Sequence, residues 1–150
     1  MTEVEPPDLL SGGELISRSP EETFEIGRRL GTQAAPGTVI LLSGDLGAGK
    51  TILTKGIAAG LGINPDEVTS PSFTLINNHK GSAELYHIDL YRLDQGACEN
   101  LGLDEIFEDA HAISVVEWAE RLGGSPRAPS IEILIEYLNG DERKITIKSV

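Results

Sequence analysis

Basic residues are scarce. Lysine and arginine number 12 against 24 aspartates and glutamates, a net charge of −12. A protein that grips nucleic acid with its own surface usually carries a basic patch, so strong direct binding of DNA or RNA is disfavoured. The acidity suits solubility or a basic protein partner. Cysteine is nearly absent: Cys98 stands alone, which rules out an internal disulfide and fits a reducing compartment. Its neighbours Gly96, Ala97, Glu99 and Asn100 offer no base to activate a thiolate, so it reads as inert. No apolar run approaches the ~20 residues of a membrane span. The acidic, proline-containing start is unlike a signal peptide. These absences together predict a cytoplasmic chain with no membrane contact. No Asn-Lys-x-Asp occurs either, which argues against a guanine-nucleotide site.

What is present is enough for one folded domain. The chain has 150 residues, 39% hydrophobic and 24% charged, ordinary values for a single globular unit with a real core. Its most informative stretch is Gly44-Asp45-Leu46-Gly47-Ala48-Gly49-Lys50-Thr51, which fits G-x-x-x-x-G-K-[ST]. The flanks supply the context that this pattern needs. Thr38-Val39-Ile40-Leu41-Leu42 reads as a buried parallel strand. Leu53, Ile57 and Leu61 recur every four residues, the stripe of a helix lying on a sheet. The glycines leave no Cβ in the way of phosphate oxygens. Loop N–H groups and the helix N-terminus then face an anion. Lys50 brings a positive charge to the β- and γ-phosphates, and the Thr51 hydroxyl suits Mg²⁺, a hard cation.

The rest of the chain predicts an α/β fold. It is a single P-loop NTPase-like domain with a mixed central sheet, a parallel core joined by antiparallel hairpins, flanked by helices. Residues 1–12 read as a loose tail and 13–150 as the domain. Glu14 to Arg18 suggests a short edge strand. Ser19-Pro20-Glu21-Glu22 reads as a helix start, with Ser19 as N-cap and Glu22 closing a capping box. Phe24, Gly27, Leu30 and Ala34 would line the buried face, and Pro36-Gly37 would end the helix. Gly60, Gly62 and Pro65 break the helix after the loop. Thr69-Ser70-Pro71-Ser72 reads as a polar loop and Phe73-Thr74-Leu75-Ile76 as the start of a strand. Asn78 to Ser82 reads as a turn, and Leu85 to Leu90 as the returning strand of a hairpin. Leu93 to Ala110 suggests one or two short helices anchored by Leu101, Leu103, Ile106 and Phe107. Ala112 to Val116 is a buried strand ending at Glu117-Trp118. Ala119 to Leu122 suggests a helical turn and Gly123 to Pro129 a loop. Two alternating strands, Ile131–Tyr137 and Arg143–Ile147, flank Asn139-Gly140, a strong hairpin signal.

A phosphate-binding loop needs a carboxylate near its metal. Ligands gather at the carboxyl ends of strands in open α/β sheets, so two acids qualify. Glu117 follows Ile113-Ser114-Val115-Val116 in the layout of a Walker B element, with Glu in place of Asp. Asp89 sits in His87-Ile88-Asp89-Leu90-Tyr91-Arg92. Either acid can also be read as a plain strand-end residue, Asp89 as an ion-pair partner of Arg92. His87 reads as an acid or base or as a strand histidine held by its neighbours. Trp118 covers a ligand or joins the core. Arg92 meets a γ-phosphate or an internal acid. The hydroxyls of Thr69, Ser70, Ser72 and Thr74 respond to phosphate or simply line a loop.

Taken in order, five elements resemble one family. They are Gly44–Thr51, Ser70-Pro71-Ser72-Phe73-Thr74, His87-Ile88-Asp89-Leu90-Tyr91-Arg92, Leu101-Gly102-Leu103-Asp104-Glu105 and Val116-Glu117-Trp118-Ala119-Glu120. The set is similar to the TsaE (YjeE) family, the bacterial P-loop ATPase of threonylcarbamoyladenosine synthesis in tRNA, from about Ser19 to Ile147. The resemblance implies ATP bound by Asp45, Leu46, Gly47, Ala48, Gly49, Lys50 and Thr51, with Lys50 also catalytic. It implies Mg²⁺ held by Thr51 and Glu117, and Asp89 needed for hydrolysis. It implies Arg143 beside the nucleotide base and a nucleotide contact at the first helix start, near Glu22 or Thr23, which we assign to Thr23. Ile52 departs from the family, where a second Thr is frequent, without touching the metal. The implied partners are the TsaB and TsaD proteins, with tRNA reached only through their complex, and the implied role of hydrolysis is to reset that complex. A small-molecule kinase is the alternative, but the loops after Glu117 offer only Arg121 and Arg127 to build a lid. A third reading is a nucleotide-dependent binding module without hydrolysis.

Overall fold

A computed structural model describes residues 9–44, 49–69, 76–91, 102–122, 126 and 128–149. Among these residues the strands form one seven-stranded sheet in the order β1-β7-β6-β2-β5-β4-β3. The strands are β1 (Gly13–Ser17), β2 (Val39–Gly44), β3 (Ile76–Lys80), β4 (Glu84–Asp89), β5 (Ala112–Glu117), β6 (Ser130–Asn139) and β7 (Glu142–Ser149). The helices are α1 (Pro20–Gln33), α2 (Lys50–Gly60) and the short α3 (Leu103–Phe107).

The centre is parallel: β6, β2, β5 and β4 run the same way. Both flanks are antiparallel, β3 on β4 and β7 on β6, with β1 closing the far edge against β7. The mixed sheet expected from the sequence is therefore present. Direction fixes the site. Five strands, β1, β6, β2, β5 and β4, deliver their carboxyl ends to one rim of the sheet. Ser17, Asn139, Gly44, Glu117 and Asp89 arrive there, joined by the first residues of β7 and β3.

Alternation along β2 divides the core. Ile40 and Leu42 join Leu30, Leu53, Ile57, Ile133 and Ile145 on the side of α1 and α2. Val39 and Leu41 join Ile88, Val116, Leu103 and Phe107 on the side of α3. Burial on both faces explains why Val39–Leu42 reads as an unbroken apolar run.

At the start of α1 the Ser19 hydroxyl accepts from the Glu22 N–H at 3.1 Å, as a capping box requires. The return arm differs. Glu22 Oε2 accepts from the Arg18 N–H at 2.6 Å, one residue before the cap. The buried face of α1 is Thr23, Ile26, Gly27, Leu30 and Gly31. Phe24, expected on that face, is only partly buried.

The reason is how closely α1 lies on α2. A methyl on Gly27 would sit 2.3 Å from the Leu53 carbonyl oxygen, and one on Gly31 2.2 Å from that of Ile57. In the other direction, Gly56 meets the Phe24 oxygen at 2.1 Å and Gly60 the Arg28 oxygen at 2.3 Å. Glycines spaced four apart on each helix let the two backbones touch. Gly60 therefore belongs to α2 as its last residue, and its missing side chain is a packing feature rather than a break.

Two further boundaries differ from expectation. Asn78, His79 and Lys80, expected in a turn, lie in β3, and the turn falls at Gly81–Ala83. The edge position accounts for this, since an edge strand is commonly polar. Asn78 also donates its side-chain amide to Glu84 at 2.9 Å across the hairpin. At the N-terminus, Leu9–Ser11, within the stretch expected to be a loose tail, form a 3-10 turn with Leu9 buried. The Leu9 N–H donates to the Gln33 side chain at 2.8 Å. The C-terminal hairpin follows its Asn-Gly signal, with a register shift between Tyr137 and Asn139. Among the described residues no helix is long and apolar enough to cross a membrane.

Candidate functional site

The rim between β2 and α2 collects the sequence-predicted residues. Gly44, with φ 145°, ends β2, and a side chain there would collide with the Ile135 carbonyl of β6 at 2.3 Å. Asp45, Leu46, Gly47 and Ala48 lie outside the described residues. Description resumes at Gly49, which caps α2 at φ 107° with no side-chain hydrogen bond to the first turn. No side-chain cap therefore competes with an anion for the positive end of the helix dipole.

Lys50 is 5% exposed, unusual for an ammonium unless it is compensated. Its Nζ donates to the Gly44 carbonyl at 2.5 Å and stands 3.9 Å from the centroid of the Trp118 ring. The indole is brought there by an uncommon backbone: Trp118 has φ 60°, in the left-handed region that bulky residues rarely enter. Tyr91 lies against the same indole, ring centroids 5.1 Å apart, and the Arg121 guanidinium is 5.6 Å from it. Trp118 is thus a ring shared by two cations and a tyrosine at the rim, which its place after a buried strand did not announce. Thr51 follows Lys50 in the first turn of α2 and is partly buried.

The two candidate acids are direct neighbours. Asp89 and Glu117 are Cα partners in the parallel pairing of β4 with β5, and Glu117 pairs on its other side with Leu42 of β2. Glu117 is 3% exposed and shares a hydrogen bond with the fully buried His87 ring, Nε2 to Oε2. His87 is therefore a strand histidine held by its neighbours. Asp89 is half-buried, and its Oδ1 accepts from the Tyr91 N–H at 3.0 Å. Burial pushes the Asp89 carboxyl above its usual range and the Glu117 charge adds to this, while the Tyr91 N–H, His87 and Lys50 oppose it.

That shift has a testable sign. A carboxyl whose folded pKa is raised contributes its full stability below the unfolded value, about 3.9. The contribution is lost as pH rises through the folded pKa. Asp89→Asn keeps an oxygen for the Tyr91 N–H and carries no charge. The variant is expected to melt above the wild type at pH 7, with the gap closing below about pH 4. Calorimetric melting across that range checks it. A wild type more stable at pH 7 would contradict the assignment.

Thr23 and Arg143 complete the rim on the β1 side. Thr23 is buried, and its hydroxyl lies 2.6 Å from that of Ser17. Ser17 donates to the Ser19 carbonyl at 2.9 Å, which makes Thr23 the donor of the pair. The Thr23 methyl is 3.8 Å from where a Gly49 Cβ would stand, so Thr23 lies beside Gly49. Arg143 lies two strands from β2, opposite Ser17 on β1 and Tyr137 on β6. It donates to the carbonyls of Gly140 at 2.9 Å and Glu142 at 3.0 Å, and its guanidinium is 4.8 Å from the Tyr137 ring. The rim therefore brings Gly49, Lys50, Thr51, Asp89, Glu117 and Thr23 together and leaves Arg143 at its outer edge. Sequence reasoning missed Ser17 and Tyr137. The Asn-Gly turn places Tyr137 and Arg143 on opposite strands of one hairpin, a signal available in advance. Arg92, Cys98, Arg127, Ser70, Ser72 and Thr74 lie outside the described residues.

The oxygens of Thr51, Glu117 and Asp89 are hard donors, which fit Mg²⁺. Among the described residues no three His, Cys, Asp or Glu side chains gather as a complete metal cage. A partial protein set suits Mg²⁺, which is usually completed by water and substrate phosphates.

A parallel-centred sheet, an uncapped helix following a glycine turn, a lysine in the first helical turn and an acid at the end of the neighbouring strand define a nucleotide-binding protein of the P-loop class. The comparisons narrow this further. The family model described as "Threonylcarbamoyl adenosine biosynthesis protein TsaE" matches residues 17–145, and the chain belongs to the TsaE family. A tRNA threonylcarbamoyladenosine biosynthesis protein TsaE from Bacillus subtilis (strain 168) is 44% identical over 133 residues, covering 88% of this chain and 82% of that protein. Its counterpart from Nostoc sp. (strain PCC 7120) is 43% identical over 126 residues, covering 81% and 75%. The crystal structure of YdiB from Bacillus subtilis superposes with a TM-score of 0.77 at 38% identity, over 96% of this chain and 89% of that one.

Proposed function

We propose that this protein is a Mg²⁺-dependent ATPase required to form the threonylcarbamoyl group on adenosine in tRNA. It acts with the TsaB–TsaD complex and resets that complex by hydrolysing ATP. The observation that carries the reading is the meeting of Lys50, Asp89 and Glu117 at the carboxyl rim of the central strands, beside the uncapped start of α2. Membership of the TsaE family supports the pathway.

Residues 45–51 and the N-terminus of α2 hold the phosphates of ATP. Lys50 leaves the Gly44 carbonyl and the Trp118 face to meet the β- and γ-oxygens. Thr51 and Glu117 hold the magnesium, which when bound neutralises charge developing on the transferred phosphoryl group. Asp89 orients the attacking water or takes its proton. A raised carboxyl pKa favours the second task, because a base works best with a pKa nearer the working pH. Thr23 and Arg143 border the nucleoside side of the site. Stabilisation of transition-state charge supplies most of the rate gain.

The net charge of −12 supports contact with tRNA through partner proteins rather than directly, and the expected location is the cytoplasm. Calorimetric titration is expected to show ATP binding strengthened by Mg²⁺. Steady-state hydrolysis is expected to be slow for the protein alone and faster with TsaB–TsaD. Equal rates with and without the partners would remove the coupling and leave a plain ATPase.

A further inference from the structure

We infer that His87 is the positioning residue for Glu117, and that it is itself held by an internal water shared with His79. This rests on the reading of Glu117 as a magnesium ligand. The geometry begins with hydrogen-bond roles. A carboxylate only accepts, so the His87 nitrogen facing Glu117, Nε2, carries the proton. The other ring nitrogen, Nδ1, then needs a hydrogen-bond partner of its own. His87 Nδ1 is buried, and among the described residues it has no hydrogen-bond partner. One other buried side-chain atom shares that condition among the described residues: His79 Nε2.

The hairpin register brings the two atoms to one place. His87 pairs with Asn77 and His79 with Leu85 in the antiparallel ladder of β3 and β4. The two histidines therefore share a face as diagonal neighbours, with Cβ atoms about 7–8 Å apart. Two buried, unpartnered ring nitrogens on diagonal positions of one face suit one shared water, since a buried water is held by about two to four polar groups. The water bridges His87 Nδ1 and His79 Nε2. Burial, and next the neighbouring His87, hold the His79 pKa below its ordinary value. The chain His79, water, His87, Glu117 then fixes the rotamer of the glutamate and leaves its second oxygen for the metal. Partners of this kind orient metal ligands in many sites.

The consequence is a role for the β3–β4 hairpin in metal affinity without any contact between β3 and the metal. The test titrates ATP into four proteins, in Mg²⁺ and in EDTA: wild type, His87→Gln, His87→Leu and His79→Leu. Glutamine keeps an N–H near the place of Nε2; leucine removes both nitrogens. His87→Leu is expected to weaken Mg²⁺–ATP binding about 10- to 100-fold and to leave metal-free ATP binding unchanged. His87→Gln is expected to recover most of the loss, and it carries the test if the leucine variant does not fold. His79→Leu is expected to shift Mg²⁺–ATP binding in the same direction by less. Equal losses in Mg²⁺ and EDTA, or no loss in His87→Leu, would overturn the positioning role. An unchanged His79→Leu would overturn the shared water. A wild type that binds no ATP in either buffer would instead strike the nucleotide reading, and this role with it. Nitrogen-15 shifts of the nucleotide-free protein test the hydrogen bond separately: a His87 ring with no proton on Nε2 would overturn the arrangement whatever the binding data show.

Discussion

Lys50→Met is expected to cut ATP hydrolysis by about 10²–10³-fold, the usual loss when one preorganised charge-stabilising donor is removed from a reacting centre. It should also weaken nucleotide binding while leaving the fold intact. The structural basis is the state of the ammonium. It is buried, hydrogen-bonded to the Gly44 carbonyl and set over the Trp118 ring. A methionine of similar length keeps the stem packed and offers sulfur to the indole, a favourable contact in itself. The charge is then the main thing lost. Trp118 is the single tryptophan of the chain, so its fluorescence reports this one site. In the wild type, ATP is expected to change that emission as Lys50 moves off the ring toward phosphate. In the variant the ATP-dependent change should be small or absent. Wild-type hydrolysis in Lys50→Met would remove the nucleotide site from the reading altogether.

Gly31→Val is expected to be the most damaging change away from the rim. The first added carbon would lie 2.2 Å from the Ile57 carbonyl oxygen, with the Ile57 carbonyl carbon at 3.0 Å. These are backbone atoms, so no rotamer change relieves the collision; α1 must lift from α2. Lifting it exposes Leu30 against Ile57 and Leu53, three of the most deeply buried side chains. Overpacking a core commonly costs about 1–3 kcal/mol. Separation of two helices along a shared glycine seam belongs with the exceptional losses of about 4–5 kcal/mol. That is comparable to the whole stability of many domains. Urea unfolding followed by circular dichroism measures it. Thr32→Ala, one residue on and exposed, is the control and should shift stability by less than about 0.5 kcal/mol. A Gly31→Val protein as stable as the wild type would mean that the helices do not meet as described.

Local chemistry made much of this legible. The helix start at Ser19, the apolar run at Val39–Leu42 and the Asn139-Gly140 hairpin are each written in a few consecutive residues. Their elements stand where those residues imply. The strand order was not readable, because it depends on which strands pair across long separations. Without it, Asp89 and Glu117 remained two separate candidates, and only the β4–β5 register makes them neighbours. The His87–Glu117 bond was hidden for the same reason. β3 was obscured by its own composition: Asn78, His79 and Lys80 look like a turn until their edge position is known. The glycines of α1 and α2 misled in a different way. Glycine weakens an isolated helix, so Gly60 reads as a stop, and only the opposing backbone reveals why it is tolerated. Legibility of the site follows the same rule: the phosphate turn declares itself by spacing, whereas Ser17 enters only through the hydroxyl of Thr23.

The glycine seam also bears on how force travels through the molecule. Where main chain rests on main chain, no layer of side-chain atoms can absorb a displacement, so α1 and α2 form one stiff strut. One end of the strut is Lys50, the first residue of α2. Another, about 20 Å along α1 at 1.5 Å per residue, is Gln33, whose amide oxygen holds the Leu9 N–H. The anchorage of the N-terminal segment thus lies at the far end of the same closely packed helix pair whose near end carries Lys50.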